Sequence, residues 1–227
     1  MPTRGSQRPF NVAYYARNRA QEIERVRVRQ AATLTFLREL RREPCADCGG
    51  TFEPYQMDFD HRDPSKKSFT ISRAMLKSRQ ALLAELAKCD VLCANCHRTR
   101  TVAQFHAGTV RPAAFEARVA TPDDERSRLR RKFRDAWSRD IEFLTTLRSR
   151  PCADCDRRFD PSVMEFDHRD PTTKARLVTR LAGRVSRARL LEEIAKCDIV
   201  CANCHRVRTH ARRSRLVRSA AADGAFH

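Results

Sequence analysis

Phe59-Asp60-His61-Arg62-Asp63-Pro64 and Phe166-Asp167-His168-Arg169-Asp170-Pro171 are the same six residues, met twice in one chain. Each copy lies between two Cys-x-x-Cys pairs. The first pairs are Cys45/Cys48 and Cys152/Cys155; the second run straight into histidine, as Cys93-Ala94-Asn95-Cys96-His97 and Cys201-Ala202-Asn203-Cys204-His205. The first pair and the Asp-His recur 107 positions later and the closing pair 108 later, so one residue has been inserted between them. Upstream, Phe36, Leu37 and Leu40 align with Phe143, Leu144 and Leu147. The chain is a tandem duplication, and any account of it is an account of one unit built twice.

Paired thiolates from two knuckles are the usual way to build a closed, tetrahedral, structural zinc site. Cys45, Cys48, Cys93 and Cys96 form one such set, and Cys152, Cys155, Cys201 and Cys204 the other. Two structural Zn²⁺ ions are therefore expected. Between the pairs lie 44 residues in the first unit and 45 in the second, far more than in a compact ribbon, so the metal closes a loop with structure of its own. Cys89 and Cys197 complete the ten cysteines and read as small buried hydrophobes.

The chain has 227 residues, a net charge of +18 and 46 basic residues, of which seven are lysine. Codon bias can set the arginine-to-lysine ratio, but not an excess of positive charge this large, which points to a polyanion. No apolar run is long enough for a transmembrane helix and no apolar leader opens the sequence. Nucleic acid in the cytoplasm of a bacterial or phage-encoded setting is thus expected over a membrane. Units of about 90 residues bury little surface, which is where a metal supplements the core.

Read in order, residues 1–12 suggest a disordered arm and 14–42 a helix. A short strand is predicted over 56–61, with a return strand over 67–71. A helix follows over 74–88, and a last one runs from His97 to about Phe105. Residues 107–122 read as a linker. Glu125 to Arg148 repeats the leading helix, with Leu129, Phe133, Trp137, Ile141 and Leu144 on one face expected to be core. The units span 13–106 and 123–216, with a disordered tail over 217–227.

Four cysteines explain a fold but not the Asp-His and the trailing His. Asp60 offers a hard carboxylate to a divalent cation and His97 an imidazole, while His61 is free to take a proton from water. Alternation along a strand turns Asp60 and His61 in different directions, which suits one ligand and one base. These residues resemble the HNH, or His-Me finger, endonuclease superfamily in its zinc-stapled branch, over residues 45–100 and 152–208. The resemblance implies an α+β chain of two tandem ββα-metal modules, with products carrying 5′-phosphate and 3′-hydroxyl ends. It makes His61 and His168 general bases. Asp60 with His97, and Asp167 with His205, become ligands of a catalytic divalent metal, Mg²⁺ or Mn²⁺, with Zn²⁺ or Ni²⁺ as alternatives.

The family's middle Asn is missing; Asp90 and Asp198 stand in its neighbourhood as candidate replacements, while Asn95 and Asn203 read as turn formers. Arg62, Arg98 and Arg100, matched by Arg169, Arg206 and Arg208, border the proposed sites and are candidate phosphate contacts. His106, His210 and His227 read as surface residues. The expectation is a DNA endonuclease acting on double-stranded DNA as a monomeric pseudo-dimer. Its competitor is a non-catalytic, zinc-dependent nucleic-acid-binding protein, and one active half beside one binding half is the mixed case.

Overall fold

The computed structural model describes residues 8–106 and 125–223; the expected linker lies outside them, as do most of the expected N-terminal arm and the last residues of the tail. Each half opens on a long helix, α1 (Arg8–Leu40) or α4 (Glu125–Arg148). In the first half β1 (Met57–His61), α2 (Arg79–Leu86), β2 (Cys89–Cys93) and α3 (Ala94–His106) follow. In the second the order is β3 (Met164–His168), α5 (Val178–Leu181), α6 (Arg187–Ile194), β4 (Cys197–Cys201) and α7 (Ala202–Asp223). This is an α+β chain with a two-stranded antiparallel sheet in each half. Helix α7 runs through the start of the stretch read as tail.

The strand partner differs from the one the sequence suggests. Residues 67–71 contain no strand; β1 pairs with β2 in the register Met57↔Cys93, Phe59↔Val91, His61↔Cys89. The reason is a buried carboxylate. Glu85 on α2 accepts hydrogen bonds from the backbone N–H groups of Ser68 (2.7 Å) and Phe69 (3.3 Å), which holds that segment as a loop over the helix. Glu193 does the same for Ala175 and Arg176.

Alternation along β1 sends Met57, Phe59 and His61 to one face, Asp58 and Asp60 to the other. Met57 joins Cys45, Leu92 and Cys93 beside the cysteine cluster, while Phe59 packs on Leu37, Ile71, Ala74 and Leu82. The second half repeats this around Met164 and around Leu144, Val178 and Leu190. Leading helices reach well past these cores: Leu129, Phe133 and Trp137 are exposed, and among the described residues of α4 the buried ones, Asp140 and Leu144, lie toward its C-terminal end. The aromatic stripe read as core is a surface.

The halves meet at the knuckles. The Asn203 side chain accepts from the Asn95 N–H at 3.2 Å, and the Asn95 side chain accepts from the Asn203 N–H at 2.9 Å. Both asparagines are buried. Each lies in the first turn of α3 or α7 and satisfies a backbone donor that the other helix leaves orphaned, a cap exchanged between modules. Gln56 donates to the Asn203 carbonyl at 3.3 Å, and the Tyr55 ring stacks on His210 with centroids 4.0 Å apart.

Candidate metal and nucleic-acid sites

The ligand atoms of Cys45, Cys48, Cys93 and Cys96 lie within 4.8 Å of one another, as do those of Cys152, Cys155, Cys201 and Cys204. Sulfurs around one zinc ion sit about 3.8 Å apart, given the usual Zn–S length and tetrahedral angles. The loops are wound to aim N–H groups at sulfur: Cys93 donates to Cys45 Sγ at 3.2 Å, and Cys201 to Cys152 Sγ at 3.2 Å. Burial pushes the Cys45 and Cys152 thiols up, but backbone N–H groups outweigh it and bring each down to about 7. Thiolate is the metal-binding form. Gly49 takes φ +67° in the first knuckle loop and Asp156 takes φ +55° at the matching place, a conformation that aspartate tolerates better than most residues. Both clusters can hold a structural metal ion such as zinc. Cys89 and Cys197 stand apart, each donating to a glutamate carbonyl at 3.4 Å, and burial pushes their thiols up to about 11.

On the far face of β1, α3 brings His97 against the strand carboxylates. Its Nδ1 is 2.9 Å from Asp58 Oδ2, and its Nε2 is 3.4 Å from Asp60 Oδ1. A carboxylate behind one ring nitrogen orients the other, as around many metal-bound histidines. Asp60 is 8% exposed, and its Oδ2 is one of three buried side-chain atoms without a hydrogen-bond partner among the described residues. Arg100 Nη1 stands 3.6 Å from that oxygen, an ion contact beyond hydrogen-bond reach. Burial raises Asp60 above the ordinary aspartate range, with His97 and Arg100 offsetting only part of it. Asp58 is held low, at about 2: burial pushes it up, but hydrogen bonds from His97 and Arg206 outweigh that.

The second half places His205 the same way, with Nδ1 on Glu165 and Nε2 3.3 Å from Asp167 Oδ1. Here the aspartate is saturated. Arg212 spans both its oxygens, at 2.8 and 2.7 Å, and Arg208 Nη1 lies 3.2 Å from Oδ2. Burial pushes Asp167 up, but hydrogen bonds from His205 and Arg212 more than reverse it and hold it low. His205 rises to about 9, mainly through Asp167 and then Glu165.

His61 and His168 turn to the opposite faces and are buried. Each has Nε2 2.8 Å from a buried glutamate, Glu85 or Glu193. Lys88 at 2.7 Å leads the donors that hold Glu85 well below the usual carboxylate range. Sequence reasoning misses these two glutamates. The available signal is a Glu four residues before Cys89, and again before Cys197, within an otherwise apolar helical stripe. Asp90 and Asp198 serve the arginines instead. Asp90 faces Asp60 across the sheet, a like-charge pair that would repel without a cation between. Arg100 provides it at 2.7 Å, aided by Arg62 at 2.8 Å; Arg208 and Arg169 do so for Asp198 at 2.8 and 3.0 Å.

All six arginines singled out in the sequence rest on protein acceptors. Arg62 and Arg169 also bond the Cys89 and Cys197 carbonyls, while Arg100 and Arg208 also clamp Asp47 and Asp154. Arg98 crosses to Glu165 and Arg206 crosses to Asp58, so each half supplies an arginine to the carboxylate that orients the other half's histidine. A cavity of about 290 Å³ between the modules is lined by Asp58, His97, Arg98, Glu165, His205 and Arg206. Basic side chains on the leading helices are outward instead, among them Arg17, Arg19, Arg126, Arg130 and Arg134. Beside α4 a cleft of about 970 Å³ gathers Arg134, Arg176, Arg180 and Arg184 around Phe133 and Trp137.

Among the described residues no helix is long and apolar enough to cross a membrane. Comparison with protein-family models finds no match, and neither does comparison with curated proteins or with solved structures.

Proposed function

We propose that the chain is a metal-dependent endonuclease of the HNH kind, hydrolysing phosphodiester bonds in double-stranded DNA. The observation that carries this reading is the Asp60–His97 pair: a buried carboxylate whose Oδ2 has no hydrogen-bond partner and whose Oδ1 lies 3.4 Å from His97 Nε2, the ring's other nitrogen being anchored by Asp58. A purely structural zinc module has no use for such a pair. The hairpin followed by a histidine-bearing helix supports the ββα-metal assignment. A divalent cation held there would supply positive charge for a phosphoryl oxygen and the leaving oxygen.

In this reading His61 is the base, oriented by Glu85 in the way a third group fixes the base in nucleophilic sites. Its Nε2 is committed to Glu85, so a water would be deprotonated at Nδ1. Asp58 keeps His97 in register, and hydrogen bonds from His97 and Arg206 together keep Asp58 ionised. The net charge of +18, the arginine-bearing leading helices and the arginine–tryptophan cleft support a nucleic-acid partner.

A specific observation favours a second reading. His61 and His168 are both buried against ionised glutamates, as internal struts of a non-catalytic nucleic-acid-binding protein would be. Supercoiled plasmid at low salt separates the two. Zinc-loaded protein should cut it with Mg²⁺ or Mn²⁺, and Asp60→Asn and His61→Gln variants that retain their zinc should not. Plasmid bound but uncut by zinc-loaded wild type with either ion would favour the binding protein.

A further inference from the structure

The two strand aspartates are equivalent by repeat but not by environment. Asp167 carries a bidentate guanidinium from Arg212, and the same guanidinium also donates to the His168 carbonyl at 2.9 Å. The matching position on α3 is Gln104, an uncharged amide. Asp60 keeps a buried Oδ2 that accepts no hydrogen bond, its ion contact with Arg100 lying at 3.6 Å while Arg100 makes shorter contacts to Asp47 and Asp90. A planar fork across both carboxylate oxygens occupies the positions from which a cation would be bound, and its charge repels a second cation.

We propose that Arg212 is a built-in cation standing in for the metal at Asp167, so that the chain binds one divalent ion, at Asp60 and His97, and none in the second half. This rests on reading the Asp60–His97 pair as a cation site. The second half then acts as scaffold: it keeps the folded cysteine cluster and sends Arg206 across to Asp58, which holds His97. Arg206, on α7, is in this sense a positioning residue for the first half's site.

The test is Mn²⁺ binding to the zinc-loaded full chain, counted by the loss of the free-ion electron paramagnetic resonance signal, with zinc content and circular dichroism confirming each variant's fold. Wild type should bind one Mn²⁺ per chain. Asp60→Asn should bind none and Asp167→Asn still one. Arg212→Gln, which puts the first half's residue at this position and leaves Arg208 as the nearest guanidinium, should gain a second ion, with affinity at that site rising about 100-fold as a unit charge a few ångströms away is removed. Gln104→Arg should abolish the first. Two ions on wild type, or one ion that survives Asp60→Asn, would overturn the asymmetry while leaving a metal-dependent reading intact. No ion on wild type would overturn both.

Discussion

The two halves share a hairpin, a cysteine cluster and a buried His–Glu pair, yet their strand aspartates live under opposite electrostatics. Asp60 has been taken out of water and left short of donors, and burial raises its pKa; Asp167 is just as buried but is held low by His205, Arg212 and Arg208. Burial alone therefore does not decide the state of the carboxylate. The largest difference in sequence between the two surroundings is one residue on the closing helix of each half, Gln104 or Arg212, and Arg208 also approaches its aspartate more closely than Arg100 does. Duplication gives a chain the freedom to do this, since one copy can leave its aspartate open while the other covers it with a guanidinium.

The largest expected effect tests what the halves have in common. Cys93→Ser or Cys201→Ser should each drop bound zinc from two ions to one and unfold the affected half, because binding free energy at structural zinc sites of this type is on the order of 10 kcal/mol and is folding free energy. Zinc content alongside circular dichroism reads this directly. A variant that keeps its helical signal and a sharp melt after losing one zinc would mean the cluster is dispensable, and the shared architecture would need another explanation.

A smaller effect tests what distinguishes them. Asp167→Asn removes the charged acceptor of two guanidinium groups and should lower unfolding free energy by about 1.5–3 kcal/mol in urea melts. Asp60→Asn should change it by less than about 1 kcal/mol, because relief of a poorly compensated buried charge offsets the weaker attraction to His97 and Arg100. Equal destabilisation at both positions would break the comparison.

The smallest tests whether the halves depend on each other. Asn95→Ala and Asn203→Ala should each cost about 1 kcal/mol, the usual worth of a helix cap. The double variant should cost less than the sum, because the two asparagines act in one contact. Strict additivity would mean that the exchanged caps do not couple the modules.

Much of this is legible in the sequence, and the exceptions share a cause. The repeat, both cysteine sets, strand β1 and the bounds of α4 follow from spacing and periodicity, which are local properties of the chain. The pairing of β1 with Cys89–Cys93 does not, because a buried glutamate ties residues 68 and 69 into a loop, and a charged residue does not advertise itself as core. Asn95 and Asn203 read as turn formers because their partners lie in the other module, 108 positions away. The exposed face at Phe133 and Trp137 has core-like periodicity, but α4 outruns the sheet it packs on. The Gln104/Arg212 difference is in plain view in the aligned halves. Its meaning emerges only once α7 is seen to lay Arg212 across Asp167.

The most direct test of the open and the filled site is a crystal of the zinc-loaded chain soaked in Mn²⁺, with anomalous difference maps recorded at the zinc and manganese edges. Zinc peaks at the two cysteine clusters and a single manganese peak between Asp60 and His97, with Arg212 still on Asp167, is the predicted result. Manganese density beside Asp167, or none beside Asp60, would contradict the account.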